Sequence, residues 1–473
     1  MTNVTEANAP ICAHPDNPHY FLFRGRPTIL VTSAEHYGAV INKDFDYVKY
    51  LDWLKSYGLN YTRIYPGAMV EPKDKYIVGN TVAPRNEALL VPWARSDQPG
   101  YALGGNKFDL SRWDSEYFKR YRSFLAEAGK RGIVVEVCFY NAQYEYTWPL
   151  SPLFHKNNIQ GVGNCHFNDA QTLKHAGLAK AGEEYVRKLV VETAGFDNVI
   201  LEICDEPLLL GTPADEAGAW IARMVETIRA AEKDLPRPHL IAQQVEGKLG
   251  GPCDFSGDPR VGLIVTQYTW DSSGEQLGGM RALEVKYQYD KPIELNETNY
   301  YPVWYKGDTV AASRVEAWEF IVGGGAGFNQ LNGLYTAALP AGNTPDNIQI
   351  CTALRNLVTF MGSFDFVKMR QDKQTVTGVP KGAICRCTSE PGRQYAVYLH
   401  HSKGERAAVY EVQPGDYRAE LQLDLPAGRY RAEWVDPAGG QTVAGETFVH
   451  AGGKRAVASP AYKVDIALRV KVR

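Results

Sequence analysis

VILEICDEP, residues 199–207 of a 473-residue chain, opens as a buried strand and ends in two adjacent acids and a proline. Continuous apolar runs of this length belong to parallel sheets, where both faces are covered. The proline cannot extend a ladder, so it closes the strand just after Asp205 and Glu206. Two carboxyl groups at the tip of such a strand repel each other and are costly to bury. Their placement calls for a reason elsewhere in the chain.

On both sides of this stretch, short β-branched runs alternate with amphipathic helical segments. TILVTSAEH (28–36) reads as a first strand, FDYVKYLDWLKSYG as a helix closed by Gly58, and LNYTRIYP (59–66) as a second strand. YFKRYRSFLAEAGKRG leads into GIVVEVCFYN, the third, and HAGLAKAGEEYVRKLVVETAG into the quoted fourth. AWIARMVETIRAAEKD precedes LIAQQV, and VGLIVTQYTW follows as the sixth strand. GGMRALEVKYQY comes before PIELNET, the seventh, and TVAASRVEAWEFIVGG before AGFNQLNG, the eighth. NIQICTALRNLVTFMG closes the series. Eight strand-helix units over residues 28–363 predict a (β/α)8 TIM barrel, and the lack of a glycine-rich loop after the first strand weighs against an open dinucleotide-binding sheet. From 364 to 473 the texture becomes short alternating runs broken by Pro, Gly and Asp, which predicts a small antiparallel β-sandwich. Residues 1–27 are expected to form a strand or flap near the lower rim of the barrel.

The composition is that of a soluble globular protein, with 44% hydrophobic residues, 22% charged and a net charge of -3. No basic block points to nucleic acid or a membrane surface. No segment approaches the ~18 apolar residues of a membrane span, and the N-terminus lacks the pattern of a signal peptide, so the expected location is cytoplasmic, or secreted or periplasmic if a native leader was removed. The 8 cysteines are scattered, which suits reduced thiols; Cys385 and Cys387 share a strand face and are expected to pack. No cofactor or metal is expected: the segment AEHYG lacks the His-x-His spacing of a barrel metallohydrolase.

In a TIM barrel, function collects at the C-terminal ends of the strands. Glu206 ends the fourth and Glu297 the seventh. Period-two alternation groups Glu202, Cys204 and Glu206 on one face, and Ile293, Leu295 and Glu297 on another, leaving Glu294 to face a helix and Glu202 to be paired low in the barrel. Two carboxylates converging across the mouth are the apparatus of glycoside hydrolysis. Roughly forty residues between the second strand and the next helix, far above the usual ~2–6, suggest a cleft wall. Tyr144, Trp148, Trp270 and Trp304 lie in loops where aromatic faces could meet sugar rings. Glu35, His36 and Tyr37, ending strand one, are candidates for binding sugar hydroxyls.

The same segments resemble clan A glycoside hydrolases, the family-5 cellulase and mannanase relatives. VILEICDEP is similar to their strand-four motif, Glu-x-x-Asn-Glu-Pro, and PIELNET to their strand seven. The resemblance implies Glu206 as acid/base and Glu297 as nucleophile of a retaining enzyme. GLNYTRIYP implies Arg63 beside the nucleophile, and TQY (266–268) implies Tyr268 as a hydrogen-bond partner of Glu297. NPHYFLFRGRPTIL and AWEFIVGGGAGFN resemble a group of barrel glycosidases that carry a small C-terminal β domain, and LPAGRYRAEWVDPAGG resembles that domain's signature. The chain departs from the clan at four places: Asp205 replaces Asn, Tyr140 replaces a strand-three His, Thr266 replaces a strand-six His, and Phe328 or Asn329 stands where strand eight brings Trp. On this reading the partner is a carbohydrate. The departures leave open a carbohydrate-binding barrel without catalysis, and a transglycosidase would use the same residues. Asp205 is expected to keep Glu206 protonated by like charge and to accept a hydrogen bond from a sugar hydroxyl.

Overall fold

A computed structural model describes residues 9–35, 37–72, 83–270, 276–298, 307–403 and 410–473; the side chains of 268–270 and 276 lie outside the described set. Its first domain is the barrel. The eight parallel strands are β1 (Leu30–Ala34), β2 (Tyr61–Ile64), β3 (Val134–Asn141), β4 (Val199–Asp205), β5 (Leu240–Lys248), β6 (Leu263–Trp270), β7 (Ile293–Thr298) and β8 (Gly327–Leu331). They run in sequence order around the sheet from β2 through β8 to β1. Between β1 and β2 no ladder is formed; the side chain of Asn60 spans the seam instead, donating to the Ile29 carbonyl at 2.8 Å and accepting the Val31 N–H at 3.0 Å. One side chain thus satisfies backbone groups that a strand pair would otherwise satisfy.

Around the strands lie α1 (Tyr47–Ser56), α2 (Ser115–Lys130), α3 (Ala176–Thr193), α4 (Ala214–Ala231), α5 (Gly279–Lys286), α6 (Thr309–Val322) and α7 (Pro345–Gly362). Between β5 and β6 the crossover holds only a single 3-10 turn, Phe255–Gly257. Helix starts follow from local chemistry: Asp46, Asp114, Asp308 and Thr344 each accept a backbone N–H of the first turn. Gly58, at φ +69°, ends α1 in the left-handed conformation that glycine adopts without strain. The long connection from Ile64 to Ser115 carries a hairpin, Trp93–Pro99 with Asn106–Trp113, and Trp93 stacks on Tyr185 of α3.

The segment before β1 forms a three-stranded antiparallel sheet, and Arg24 ties it to Asp197 and to the Gly129 carbonyl at the end of α2. After α7 come a six-stranded and a three-stranded antiparallel sheet around a separate apolar core containing Leu421, Tyr430, Trp434 and Leu468. Cys387 belongs to this core, Cys385 packs against it, and the eight cysteines form no disulfide. This domain grips α6. Arg314 pairs with Asp465 at 2.9 Å, and Glu319 is fully buried against Arg386 and His400. Burial opposes ionisation of Glu319, but the neighbouring His400 ring and Arg386 guanidinium outweigh it and hold its carboxyl down at about 2. No helix among the described residues is long and apolar enough to cross a membrane.

Candidate active site

The barrel interior is polar, and its electrostatics set the site. Arg63 of β2 is fully buried, and its guanidinium lies 2.5 Å from Glu202, 3.0 Å from Asp205, 3.5 Å from Glu297 and 3.7 Å from Glu136. Tyr61 donates to Glu136 at 2.5 Å and lies 3.0 Å from both oxygens of Glu294, while Asn296 donates to Glu136 at 3.1 Å. One cation cannot hold so many buried acids ionised. Burial and mutual repulsion accordingly raise Glu136 and Glu294 to about 8 and push Glu202 well up. Glu202 is paired low in the barrel as expected. Glu294 is not directed at a helix; it is an interior residue.

Glu297 reaches the mouth through a break in the strand's alternation. Glu294 and Asn296 face inward, and Leu295 packs outward on α5, where Gly279 leaves it room. Strict alternation would turn Glu297 outward with Leu295. Instead the β7–β8 register slips between Asn296 and Thr298, and Glu297 takes φ +58°, which turns its carboxyl into the barrel. Glu206, just past β4, has φ +51°. Among the described non-glycine residues only Arg24 shares this left-handed backbone. The expected face of Glu202, Cys204 and Glu206 is also corrected: Asp205 joins Glu202 at Arg63, and Cys204 lies beside Tyr140.

The two turned glutamates meet. Single oxygens of Asp205, Glu206 and Glu297 lie within 4.8 Å of one another. Such a trio could ligate a cation, but Arg63 already supplies countercharge to two of the three. Glu206 accepts from Tyr144 Oη at 2.5 Å and from Gln267 Nε2 at 3.2 Å, and its own N–H donates to Gln244 at 2.8 Å. Burial, then Asp205, then Glu297 push the Glu206 carboxyl well above the usual range. Glu297 accepts from Tyr37 Oη at 3.0 Å and from Gln267 Nε2 at 3.3 Å. Asp205 accepts from Tyr65 at 2.8 Å and from Asn141 at 2.7 Å; burial raises it to about 7 against the pull of Arg63. With no exposure, both hydrogen bonds on Oδ2 and Oδ1 facing the Arg63 guanidinium at 3.0 Å, Asp205 is a buried strut, not the expected acceptor for a sugar hydroxyl.

Other expected site residues fall elsewhere. Tyr140 turns away from the mouth and packs edge-on against Tyr185 of α3 and Trp220 of α4, with Gly182 making room for its hydroxyl. The cause is a break in alternation: Cys138 and Asn141 reach the Arg63 cluster, leaving Tyr140 outside. Trp148 is buried in its own loop, donating to the Cys165 carbonyl and packing on Phe154. Glu35 accepts from the N–H groups of Tyr37, Gly38 and Ala39, so in this structure its carboxyl shapes the turn that presents Tyr37. Asn329 is fully buried on β8, in register with Asn296 and Thr32. His36 and Trp304 lie outside the described residues, as do the side chains of Tyr268 and Trp270.

No protein-family model matches the sequence, and no curated protein does. Among solved structures, a glycoside hydrolase matches 100% of this chain and 99% of its own at 14% identity and a TM-score of 0.63. A glycoside hydrolase family 5 structure from Bacteroides vulgatus matches 100% of this chain and 96% of its own, also at 14% identity and a TM-score of 0.63. The chain shares their fold. The likeness extends over barrel and β domain together.

Sequence reasoning missed Tyr65, Asn141, Gln244, Gln267 and Glu246, a buried acid of β5 that accepts the Leu208 N–H at 2.6 Å. A signal was present for three of them: QQVEG in β5 and TQY in β6 put amides and an acid at the mouth end of otherwise apolar strands.

Proposed function

We propose that this protein is a retaining glycoside hydrolase that cleaves O-glycosidic bonds of a β-linked or α-L-linked oligo- or polysaccharide by double displacement. The observation that carries the reading is the approach of Glu206 and Glu297 oxygens within 4.8 Å, in unlike surroundings. Retention calls for carboxyl groups about 5–5.5 Å apart, whereas inversion needs about 6.5–9.5 Å to admit a water. Glu206, kept protonated by burial and by Asp205, is the acid that protonates the leaving oxygen and then the base that activates water. Glu297, facing Arg63 and the donors Tyr37 and Gln267, is the nucleophile. The shared fold agrees with this assignment.

The test is a panel of aryl glycosides, followed by a 2-deoxy-2-fluoro analogue of the best substrate and peptide mapping of the trapped enzyme. The label is expected on Glu297, with the first-formed sugar retaining its anomeric configuration. A label on another residue, or an inverted product, refutes the assignment. Glu206→Ala should spare substrates with activated leaving groups and gain rate with added azide.

A further inference from the structure

Gln267 of β6 sits where one amide nitrogen reaches both carboxyl groups: Nε2 is 3.2 Å from Glu206 Oε1 and 3.3 Å from Glu297 Oε2. A primary amide has two N–H donors and no charge of its own. Each donor stabilises the ionised form of the carboxyl it faces. The double-displacement scheme above uses Gln267 only as a donor to Glu297 and gives no role to its contact with Glu206.

We infer that Gln267 is a shared positioning donor that serves whichever of the two glutamates holds the negative charge. The inference rests on the proposed retaining chemistry. In the free enzyme Glu297 is the carboxylate and Glu206 carries the proton. In the first step a Glu297 oxygen bonds to the anomeric carbon, the bond from that carbon to the leaving oxygen breaks, and the Glu206 proton passes to the leaving oxygen. The charge now resides on Glu206. In the second step water bonds to the anomeric carbon, its proton returns to Glu206, and Glu297 departs as carboxylate. A donor nearly equidistant from both groups stabilises the charge in either position, and so favours neither the free enzyme nor the glycosyl-enzyme. A donor held on one glutamate alone would stabilise one state and slow the step that leaves it.

The experiment compares wild type with Gln267→Leu and the isosteric Gln267→Glu, using 13C-labelled glutamate to follow the Glu206 and Glu297 carboxyl titrations by NMR alongside burst kinetics on an aryl glycoside. A hydrogen bond to a charged group contributes about 1.5–3 kcal/mol, so Gln267→Leu should raise both titrations by about one pH unit and change glycosylation and deglycosylation by the same factor, leaving their ratio at the wild-type value. Gln267→Glu, adding charge in the same volume, should raise both titrations further. Unmoved titrations in folded variants overturn the inference, as does a shift confined to one glutamate or a loss confined to one step. If wild type hydrolyses no glycoside while both titrations still move, the proposed function fails and the shared donor survives.

Discussion

Replacing Glu136 by Gln tests whether the acids beneath the site are stored in protonated form. Glu136 is fully buried, accepts from Tyr61 and Asn296 through Oε2, and rises from an ordinary 4.5 to about 8, first through burial and then through Glu294. A carboxyl raised in this way stabilises the fold fully below pH 4.5, and the contribution is lost as pH climbs through 8. At about 1.4 kcal/mol per pH unit, that interval amounts to about 5 kcal/mol. This is as large as the whole stability of many domains, so it is a ceiling, reduced wherever Glu202 and Glu294 share protons with Glu136. Glutamine keeps an acceptor for Tyr61 and Asn296 and cannot ionise. Urea unfolding followed between pH 5 and 9 should show wild type losing stability throughout, and Glu136→Gln losing less by up to that amount. Parallel curves for the two proteins would refute the argument, because the carboxyl would then be carrying the same charge folded and unfolded.

Asp205→Asn removes a like charge next to Glu206 and should lower the pH at which activity falls on the alkaline side; an unchanged alkaline limb in the rate profile counts against the coupling. Tyr144→Phe deletes a 2.5 Å donor to Glu206 and should move that limb upward, a direction opposite to that of Asp205→Asn and read in the same profile. Asn60→Ala leaves the β1–β2 seam with an unsatisfied N–H and carbonyl and should destabilise the protein by about 1–3 kcal/mol in urea unfolding, without shifting the activity profile.

The barrel was legible because its units repeat: each apolar run is followed by an amphipathic segment of the right length, and capping residues such as Asp114 and Asp308 mark where helices begin. The proposed pair stood out because Glu206, followed by a proline, and Glu297, in PIELNET, each close an apolar strand. What could not be read was side-chain direction. Glu297 was placed at the mouth by an alternation that in fact points the other way, and it arrives there only through the register slip after Asn296. Tyr140 failed for the same cause on β3, where inward positions are three residues apart between Cys138 and Asn141. Period-two reasoning has no term for a bulge, which depends on what the neighbouring strand does. Trp148 and Glu35 failed differently: an aromatic or acid in a loop reads alike whether it meets a ligand or holds its own loop together, as these two do.

The left-handed backbone at the two glutamates gives this account its sharpest test. In an ordinary strand, glycine is less stable than alanine by about 0.5–1 kcal/mol, because the unfolded chain is more free. At φ +58° the sign should reverse, since a Cβ in that region costs an L-residue about 1–2 kcal/mol. Glu297→Gly and Glu297→Ala lose the same contacts to Arg63, Tyr37 and Gln267, so their difference isolates the backbone. The glycine variant should unfold at higher urea, by up to about 1 kcal/mol, although both should be inactive. Only strain held in place by the surrounding barrel can produce that order. If alanine is the more stable, Glu297 is not in a left-handed conformation in solution, and the turn that brings its carboxyl within reach of Glu206 has to be explained by something other than the bulge on β7.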